Sequence, residues 1–381
     1  MQNSTQPSNS RTFEPSNPRT LREMDILRPH AENVFAAELV ALAASDQHVR
    51  PRNWKLSPWA VVTYLMGGKL DTGEEISPKY FGQRRLIEVA VATLATDRAL
   101  LLMGVPGTAK TWVSEHLAAA ISGNSTLLVQ GTAGMSEDAL RYGWNYARLL
   151  AEGPSERALV ASPVMHGMQH GQLVRIEELT RIPSDVQDAL ITILSEKTLP
   201  IPELNTEVQA TRGFNIIATA NDRDRGVNEL SSALQRRFNT VVLPLPSSLE
   251  EEVEIVQTRV NQLGKALELA EAKVPSEEIR RLVTIFRELR SGRTEDGKLK
   301  LKSPTATLST AEVISVINSG QSLCLHFGDG QLRARDLASS LTGAIIKDTS
   351  LDAEVWQEYL ETVIKGREGW GDLYRACKEG V

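Results

Sequence analysis

A strand, a tight turn and a helix follow one another in DRALLLMGVPGTAKTWVSEHLAAAI, residues 97–121. The apolar run at residues 99–103 predicts a buried strand, and the glycines and proline after it predict a turn. The turn fits the pattern G-x-x-x-x-G-K-[ST], in which backbone N–H groups at a helix N-terminus surround phosphate oxygens. The loop residues are Gly104, Val105, Pro106, Gly107, Thr108, Ala109, Lys110 and Thr111.

The last residues of this loop carry its chemistry. In the pattern, the lysine contacts the outer phosphates of a nucleotide and the hydroxyl binds Mg²⁺, and Lys110 and Thr111 supply these groups. Ala109 stands where a second glycine is usual, which alanine tolerates as long as its φ angle is not forced positive. An ordinary Gly-Pro turn is the alternative. The flanking strand and helix favour a site for ATP and Mg²⁺ formed by residues 104–111 together with Trp112.

Length, charge and cysteine content limit the class of protein. A chain of 381 residues predicts two or three domains. Its formal net charge of −6 argues against nucleic acid as the leading partner. Two cysteines imply no disulfide framework, the first twenty residues lack the apolar core of a signal peptide, and no apolar run approaches membrane-spanning length. We therefore expect a cytoplasmic protein with no membrane partner.

Composition and periodicity divide the chain into four segments. The opening segment is rich in Asn, Ser, Pro and Thr, which is typical of disorder. The later segments show helical spacing, then alternating strands and helices, then helical spacing again. The predicted segments are a disordered tail at 1–22, a helical N-terminal extension at 23–78, an α/β core with a parallel sheet at 79–245, and an α-helical lid with C-terminal helices at 246–381.

Two groups of aromatic residues fall outside the loop. In the N-terminal extension, three of them have the spacing of core packing rather than of a docking surface: Trp54, Trp59 and Tyr64. In the long span after the second predicted strand, three others alternate as on one face of a strand: Tyr142, Trp144 and Tyr146. This second group predicts either a protruding hairpin or the cover of a local core.

A second chemical motif is GQLVRIEEL, in which an apolar strand ends in two carboxylates, Glu177 and Glu178. The first carboxylate can hold Mg²⁺ through its water shell, and its neighbour can act as general base on the attacking water. Arg175 inside this strand is unusual. An acidic pair that merely stabilises a helix dipole is the alternative, although the position of the pair after the phosphate loop favours catalysis.

The residues downstream supply further polar groups. EKTLPIPELNTEVQA predicts two extended pieces around a turn, followed by the strand GFNIIATAN with Asn221 at its polar end. Residues 229–238 predict a short helix that ends in Arg236 and Arg237. A planar, always charged guanidinium suits a γ-phosphate whose charge redistributes during transfer. The alternatives are a turn asparagine and solvated arginines at a helix end.

The order of these motifs resembles that of the MoxR-type AAA+ ATPases, in the magnesium-chelatase-like branch of AAA+ proteins. The likeness rests on Phe81-Gly82-Gln83 before a helix, on GVPGTAKT, on the acidic pair, and on a hairpin inserted before the strand that ends in Asn221. The motif-by-motif likeness covers residues 80–245. The lid and the N-terminal extension share only a general likeness with the family. It implies an AAA+ P-loop core with a helical lid.

The resemblance also implies roles for individual residues. Phe81 and Gly82 would lie beside the adenine, and Asn221 would be the sensor-1 residue that orients the lytic water. Arg237 matches an arginine that reaches a neighbouring subunit's site, with Arg236 in reserve. Such proteins form rings, often hexamers, in which the insertion at the second core helix faces the pore. They remodel a partner, frequently a von Willebrand factor A-type protein with a metal-dependent adhesion site.

The chain departs from the family pattern at two sites. Glu177 stands where aspartate is usual, and Mg²⁺ demands near-ideal octahedral geometry. The lid lacks a sensor-2 arginine, because Thr305 and Ala311 occupy the two candidate positions. Either Lys302 replaces that arginine or the lid contacts nucleotide differently.

These observations leave three functional hypotheses. The first is an ATPase that works in a ring and remodels a partner protein. The second is a nucleotide-gated scaffold that binds ATP with negligible hydrolysis, which Ala109, Glu177 and the missing sensor-2 arginine suggest. The third is a DNA-directed motor, which the acidic charge balance disfavours.

Overall fold

The computed structural model describes residues 26–221, 228–269 and 271–379. The predicted disordered tail, residues 1–22, lies outside this range. The strands are β1 Gly68–Lys69, β2 Glu75–Ile76, β3 Ala99–Met103, β4 Leu128–Gln130, β5 Tyr142–Trp144, β6 Leu159–Ala161, β7 Leu173–Glu177, β8 Thr198–Ile201, β9 Thr206–Gln209, β10 Asn215–Ala220 and β11 Phe238–Val242. The helices are α1 Ala31–Val34, α2 Ala36–Ser45, α3 Pro58–Met66, α4 Arg84–Leu94, α5 Lys110–Ser122, α6 Tyr146–Glu152, α7 Pro163–His170, α8 Ser184–Ser195, α9 Ser232–Gln235, α10 Leu249–Ala266, α11 Ser276–Ser291, α12 Thr310–Phe327, α13 Ala334–Ile345, α14 Leu351–Tyr359 and α15 Gly371–Glu379.

The central sheet is parallel and has the strand order β11-β3-β10-β7-β4. Strand β3 is almost wholly buried, and β7 and β10 are buried along their whole lengths, which explains their continuous apolar character. The register pairs Ala220 with Met103 and Ala218 with Ile176, so β3, β7 and β10 end near one another. Ligands of open parallel sheets bind at this carboxyl edge.

The N-terminal helices pack against the core through one apolar cluster that includes Leu42, Trp54 and Tyr64. Helix α3 begins at Pro58 because the Ser57 hydroxyl accepts a hydrogen bond from the N–H of Ala60. Trp54 and Tyr64 are buried, in agreement with the core-packing interpretation. Trp59 is different, because 43% of its surface is exposed and its ring stacks on His48.

The span after β4 contains a hairpin, in which β5 pairs antiparallel with β6 around α6. Tyr142 is buried in the core and Trp144 packs beside it. Tyr146 does not continue the strand, so the predicted alternation is wrong at this position. The Asn145 side chain accepts a hydrogen bond from the N–H of Arg148 and caps α6, which begins at Tyr146 and leaves that ring 70% exposed.

The remaining predicted elements have their counterparts in the structure. Strands β8 and β9 form the hairpin before β10. The predicted helix at 229–238 is shorter than expected, because α9 ends at Gln235 and Phe238 already belongs to β11.

The lid is a helical layer with its own apolar core. Ser309 and Glu312 form a capping box that starts α12. The buried carboxylate of Glu252 on α10 accepts hydrogen bonds from Arg290 of α11 at 2.7 Å and from the hydroxyl of Thr310 on α12 at 2.7 Å. The α/β fold with a parallel sheet, a helical lid and a helical N-terminal extension is therefore confirmed.

Candidate nucleotide site

A cleft of about 940 Å³ lies at the carboxyl edge of the sheet. The loop after β3, the segment at residues 78–83 and the lid helices α10 and α12 form its walls. Many of the predicted site residues line it together: Phe81, Gly82, Gly107, Thr108, Ala109, Lys110, Thr111, Trp112, Glu178 and Asn221. The volume is within the range of small-molecule sites.

The phosphate loop closes around the Lys110 side chain. Its ammonium group donates to the carbonyl oxygens of Gly104 at 2.8 Å and Val105 at 2.9 Å. A β-carbon on Gly104 would lie 2.6 Å from the carbonyl oxygen of Leu243 and from the Thr108 hydroxyl, so only glycine fits there. Helix α5 begins at Lys110, so its N-terminus lies at the cleft. The free N–H groups of a helix N-terminus are suited to binding an anion.

The backbone of Ala109 has a φ of 61° and a ψ of 22°, in the left-handed region. The condition under which alanine would substitute without strain is therefore not met. A non-glycine residue in this conformation costs about 1–2 kcal/mol, which explains why glycine is usual at this position.

Glu177 lies beneath the loop, with 2% of its surface exposed. One carboxylate oxygen accepts hydrogen bonds from the hydroxyls of Thr111 at 2.9 Å and Thr219 at 2.6 Å. The other accepts from the Ser114 hydroxyl at 2.5 Å and from Arg175 at 3.0 Å. The extra methylene of glutamate thus carries the carboxylate into a nest of three hydroxyls and one guanidinium.

A magnesium ion would be held at the Thr111 end of this nest. Because the Thr111 hydroxyl donates its hydrogen to Glu177, its oxygen lone pairs can face a cation. Mg²⁺ is commonly held by one or two side-chain oxygens together with substrate phosphates and waters. Within the part of the chain that the structure describes, His, Cys, Asp and Glu form no group of three or more that could hold a metal. Thr111 would contact the ion, and Glu177 would act through the Thr111 hydroxyl that it orients and through its negative charge.

Arg175 is buried beside Glu177 and extends under the first turn of α5. Its guanidinium also donates to the carbonyl oxygens of Ser125 at 3.2 Å and Thr111 at 3.3 Å. The sequence singled this residue out as unusual. The structure shows that it neutralises Glu177 and ties β7 to the phosphate loop.

We expect Arg175→Met to lower the free energy of unfolding by about 3–5 kcal/mol, because breaking a buried pair leaves the Glu177 carboxylate uncompensated. Urea denaturation measures this loss. Arg84→Met is the control, since it breaks an exposed pair with Glu88 and should change stability by about 1 kcal/mol or less. Equal stability of Arg175→Met and the wild type would show that Glu177 does not depend on Arg175.

Glu178 follows the end of β7 and faces the cleft. Its φ of 56° is rare for glutamate and costs energy of order 1–3 kcal/mol, which is typical of functional positions. The N–H of Glu178 donates to the Thr219 hydroxyl at 3.1 Å, and the carboxylate pairs with Arg181 at 3.4 Å. Thr219 thus contacts both acidic residues. No sequence motif marked Thr219, which lies in β10 two residues before Asn221, the residue that follows the strand.

Aromatic side chains line the part of the cleft beside the segment at residues 78–83. The Trp112 indole N–H donates to the carbonyl oxygen of Lys79 at 2.8 Å, and Tyr80 and Phe81 line the wall. Burial, together with the charge of Glu251, raises the pKa of Tyr80 to about 12, so its hydroxyl stays neutral. The Arg259 guanidinium lies over the Trp112 ring, 3.6 Å from its centroid. No sequence motif marks Arg259, because its helix has the pattern of any amphipathic helix.

Two arginines, Arg236 and Arg237, are the candidates for reaching a neighbouring subunit's site, and both lie away from this cleft. Arg237 donates to the Ser195 hydroxyl at 2.8 Å and to the carbonyl oxygen of Ala233 at 2.6 Å. Arg236 is exposed. Neither residue lines the cleft of its own chain.

Three lid residues were considered for the sensor-2 role. One of them lines the cleft and the other two do not. Lys302 pairs with Glu358 at 2.7 Å on the lid surface and does not line the cleft. Thr305 bonds to Asp352, whereas Ala311 lines the cleft beside Thr310. The interpretation that Lys302 replaces the missing arginine is therefore wrong for this structure.

Comparisons with known proteins agree with this architecture. Residues 99–238 match the AAA domain of the dynein-related subfamily, and residues 250–377 match the C-terminal domain of YehL-like AAA+ ATPases. The protein YehL of Escherichia coli (strain K12) is 40% identical over 355 residues, which cover 92% of this chain and 96% of YehL. Midasin of Dictyostelium discoideum is 27% identical over 153 residues, which cover 39% of this chain and 2% of midasin.

A solved structure of NtrX from Brucella abortus in complex with ADP aligns with a TM-score of 0.47 and 13% identity, over 72% of this chain and 57% of that one. Together, the fold, the phosphate loop and the family matches define an AAA+ ATPase domain with a helical lid. The chain belongs to the YehL-like family of AAA+ ATPases. Among the described residues, no helix combines the length and the apolar character needed to cross a membrane.

Proposed function

We propose that this protein is a MoxR-type AAA+ ATPase that binds ATP with Mg²⁺ and hydrolyses it to ADP and phosphate. The observation that carries the proposal is the convergence of Lys110, Thr111, Glu178 and Asn221 on one cleft at the carboxyl edge of the sheet. These residues come from three strand ends, and together they supply a cation, a metal-binding hydroxyl, a base and an amide.

Each group has a defined task in phosphoryl transfer. Lys110 and the N–H groups of the loop bind and orient the phosphates. Thr111 and Glu177 position the metal, and the Glu178 carboxylate accepts the proton of the attacking water while Asn221 orients that water. Bound Mg²⁺ supplies charge that neutralises the phosphates.

Glu178→Gln should bind ATP normally but lose about 10²–10⁴-fold in turnover, because the amide cannot accept the proton. Glu177→Gln should instead raise the Mg²⁺ concentration required for half-maximal turnover, because it weakens the metal site. Phosphate release over a Mg²⁺ titration measures both effects. Glu196→Gln, an exposed acid at the end of α8, is the control. Wild-type turnover by Glu178→Gln would show that the base is misassigned.

A second candidate function is a nucleotide-gated scaffold with negligible hydrolysis. The observation in its favour is that the Glu177 carboxylate already accepts four hydrogen bonds, one of them from Arg175. Steady-state turnover separates the two candidates. ATP binding without turnover above that of Glu178→Gln would favour the scaffold, and turnover stimulated by DNA would favour a DNA-directed motor.

We further propose that the protein works in the cytoplasm as a homo-oligomeric ring, with six subunits as the expected number, and remodels a protein client. The support is the family resemblance, together with the position of Arg237 outside the cleft of its own chain. The proposed client class is a von Willebrand factor A-domain protein. Capture with Glu178→Gln in the presence of ATP tests this, and capture independent of ATP would contradict a nucleotide-driven client cycle.

A further inference from the structure

Lys79 lies where the N-terminal extension meets the wall of the cleft. Its side chain has 1% of its surface exposed, and it donates hydrogen bonds to the Glu38 carboxylate of α2 and, at 2.7 Å, to the carbonyl oxygen of Ser77. The Ser77 hydroxyl donates to the other carboxylate oxygen of Glu38 at 2.7 Å. Glu38 therefore accepts hydrogen bonds from two residues of the segment that leads into the cleft wall at residues 79–83.

Two aromatic rings of the N-terminal extension lie beside the same ammonium group. Its nitrogen is 4.4 Å from the centre of the Phe35 ring and 4.5 Å from that of the Tyr64 ring, distances at which a cation is attracted to an aromatic face. Burial lowers the pKa of Lys79, and the hydrogen bond to Glu38 opposes this shift. Glu38 is the acid paired with this ammonium group, so its removal would leave a buried charge uncompensated.

The main chain of Lys79 holds a residue of the cleft wall. Its carbonyl oxygen accepts the indole N–H of Trp112 at 2.8 Å. The N–H groups of Lys79 and Tyr80 donate to the carbonyl oxygen of Leu65 in α3, at 2.8 and 2.9 Å. The side chain of Lys79 is thus held by α2, and its main chain joins α3 to the indole.

A second route joins the N-terminal extension to the same indole. The Trp112 ring lies 4.2 Å from the ring of His116, centre to centre, and the Nδ1 atom of His116 shares a hydrogen bond of 2.9 Å with the Tyr64 hydroxyl. His116 is fully buried, and burial holds its pKa well below the usual value, so the ring is neutral. The contacts from Glu38 through Lys79 and Tyr64 to Trp112 therefore form one connected set.

The wall that these contacts support suits the base of a nucleotide. Phosphates fit the loop at Lys110 and the N-terminus of α5, where the cation and the free N–H groups lie. Tyr80, Phe81 and Trp112 instead line the cleft with aromatic surface, which suits a planar heterocycle. A nucleotide with its phosphates on the loop would therefore place its base beside residues 79–83.

We propose that Glu38 and Lys79 are positioning residues for the nucleotide base: their ion pair holds residues 79–83 and the Trp112 indole in the arrangement that the base contacts. This inference rests on the proposed function. It makes the N-terminal extension a part of the nucleotide site, since α2 supplies the carboxylate and α3 supplies the ring and the carbonyl oxygen that hold the wall.

Glu38→Gln should weaken the binding of adenosine and of ATP by the same factor, about 10-fold, because binding must then also order the wall. Binding of inorganic triphosphate, which contacts the phosphate loop without a base, should not change. Isothermal titration calorimetry measures the three affinities. Turnover at saturating ATP should stay within about twofold of the wild type, because the groups around the phosphates keep their places.

Asp46→Asn is the matched control for a general loss of stability. Asp46 follows α2, its side chain is fully buried, and its carboxylate accepts hydrogen bonds from the N–H and the hydroxyl of Ser57 at 2.8 Å each. It does not line the cleft. Both Asp46→Asn and Glu38→Gln should lower the melting temperature, but Asp46→Asn should leave all three affinities unchanged.

Ser77→Ala is a milder variant that keeps the ion pair and removes one hydrogen bond to Glu38. It should show the same pattern of affinities at about 3-fold, and it decides the question if Glu38→Gln does not fold. The positioning role would be overturned by equal losses for adenosine and inorganic triphosphate, by wild-type ATP affinity in the folded variants, or by an equal loss in Asp46→Asn. Failure of the wild type to bind ATP would instead overturn the proposed function itself.

Discussion

Lys110→Ala is expected to abolish measurable ATP binding while the protein stays folded. The ammonium group is held in the centre of the loop by the carbonyl oxygens of Gly104 and Val105. Alanine removes the charge and its hydrogen bonds to phosphate, and should weaken ATP binding by about 100-fold or more. Calorimetry with ATP and Mg²⁺ measures the affinity, and circular dichroism checks the fold.

Lys197→Ala is the matched control for this loss. The Lys197 ammonium also donates to a main-chain carbonyl oxygen, that of Asp97 at 2.8 Å, but it lies outside the cleft. The control variant should therefore bind ATP as the wild type does. If folded Lys110→Ala kept wild-type affinity, the loop at 104–111 would not be a phosphate-binding loop.

Arg237→Ala should keep ATP binding nearly intact but lower turnover by about 10³-fold or more, as expected for an arginine finger that acts on a neighbouring subunit. In the isolated chain this guanidinium bonds to a hydroxyl and a carbonyl oxygen, those of Ser195 and Ala233. These neutral acceptors are weaker than a phosphate, so a neighbour's nucleotide can compete for the side chain. Specific activity should also rise with protein concentration as subunits associate.

Mixing two inactive variants tests whether the finger acts in trans. An Arg237→Ala subunit keeps its phosphate loop, and a Lys110→Ala subunit keeps its Arg237, so a mixed assembly contains some complete sites. Partial recovery of phosphate release on mixing is the expected result. The trans role fails if mixed assemblies form without recovery, or if Arg237→Ala alone is fully active. Arg236→Ala is the comparison, because that residue is adjacent and exposed.

The sequence predicted the features that depend on a few consecutive residues. The strand before Gly104, the helix from Lys110 and the hairpin before β10 follow from local patterns of apolar, glycine and turn residues. The parallel sheet follows from alternating strands and helices, and it brings the strand ends at Glu178 and Asn221 to one edge.

Local patterns misled where a competing interaction was stronger. Tyr146 keeps the spacing of a strand, but the Asn145 side chain caps a helix at that point. Ala109 was compatible with the loop only at a negative φ, and the closure of the loop imposes 61°. At Tyr146 the backbone follows the cap, which satisfies an N–H group of the helix, rather than the strand preference of the single residue.

The sequence by itself determined the order of strands, helices and motifs, because each depends on hydrogen bonds and apolar spacing within a short segment. Only the tertiary structure decided which distant groups meet: three hydroxyls and Arg175 on Glu177, and Arg259 on Trp112. These contacts join residues from different elements, so they depend on how strands register and how the lid packs. No spacing along the chain encodes those distances.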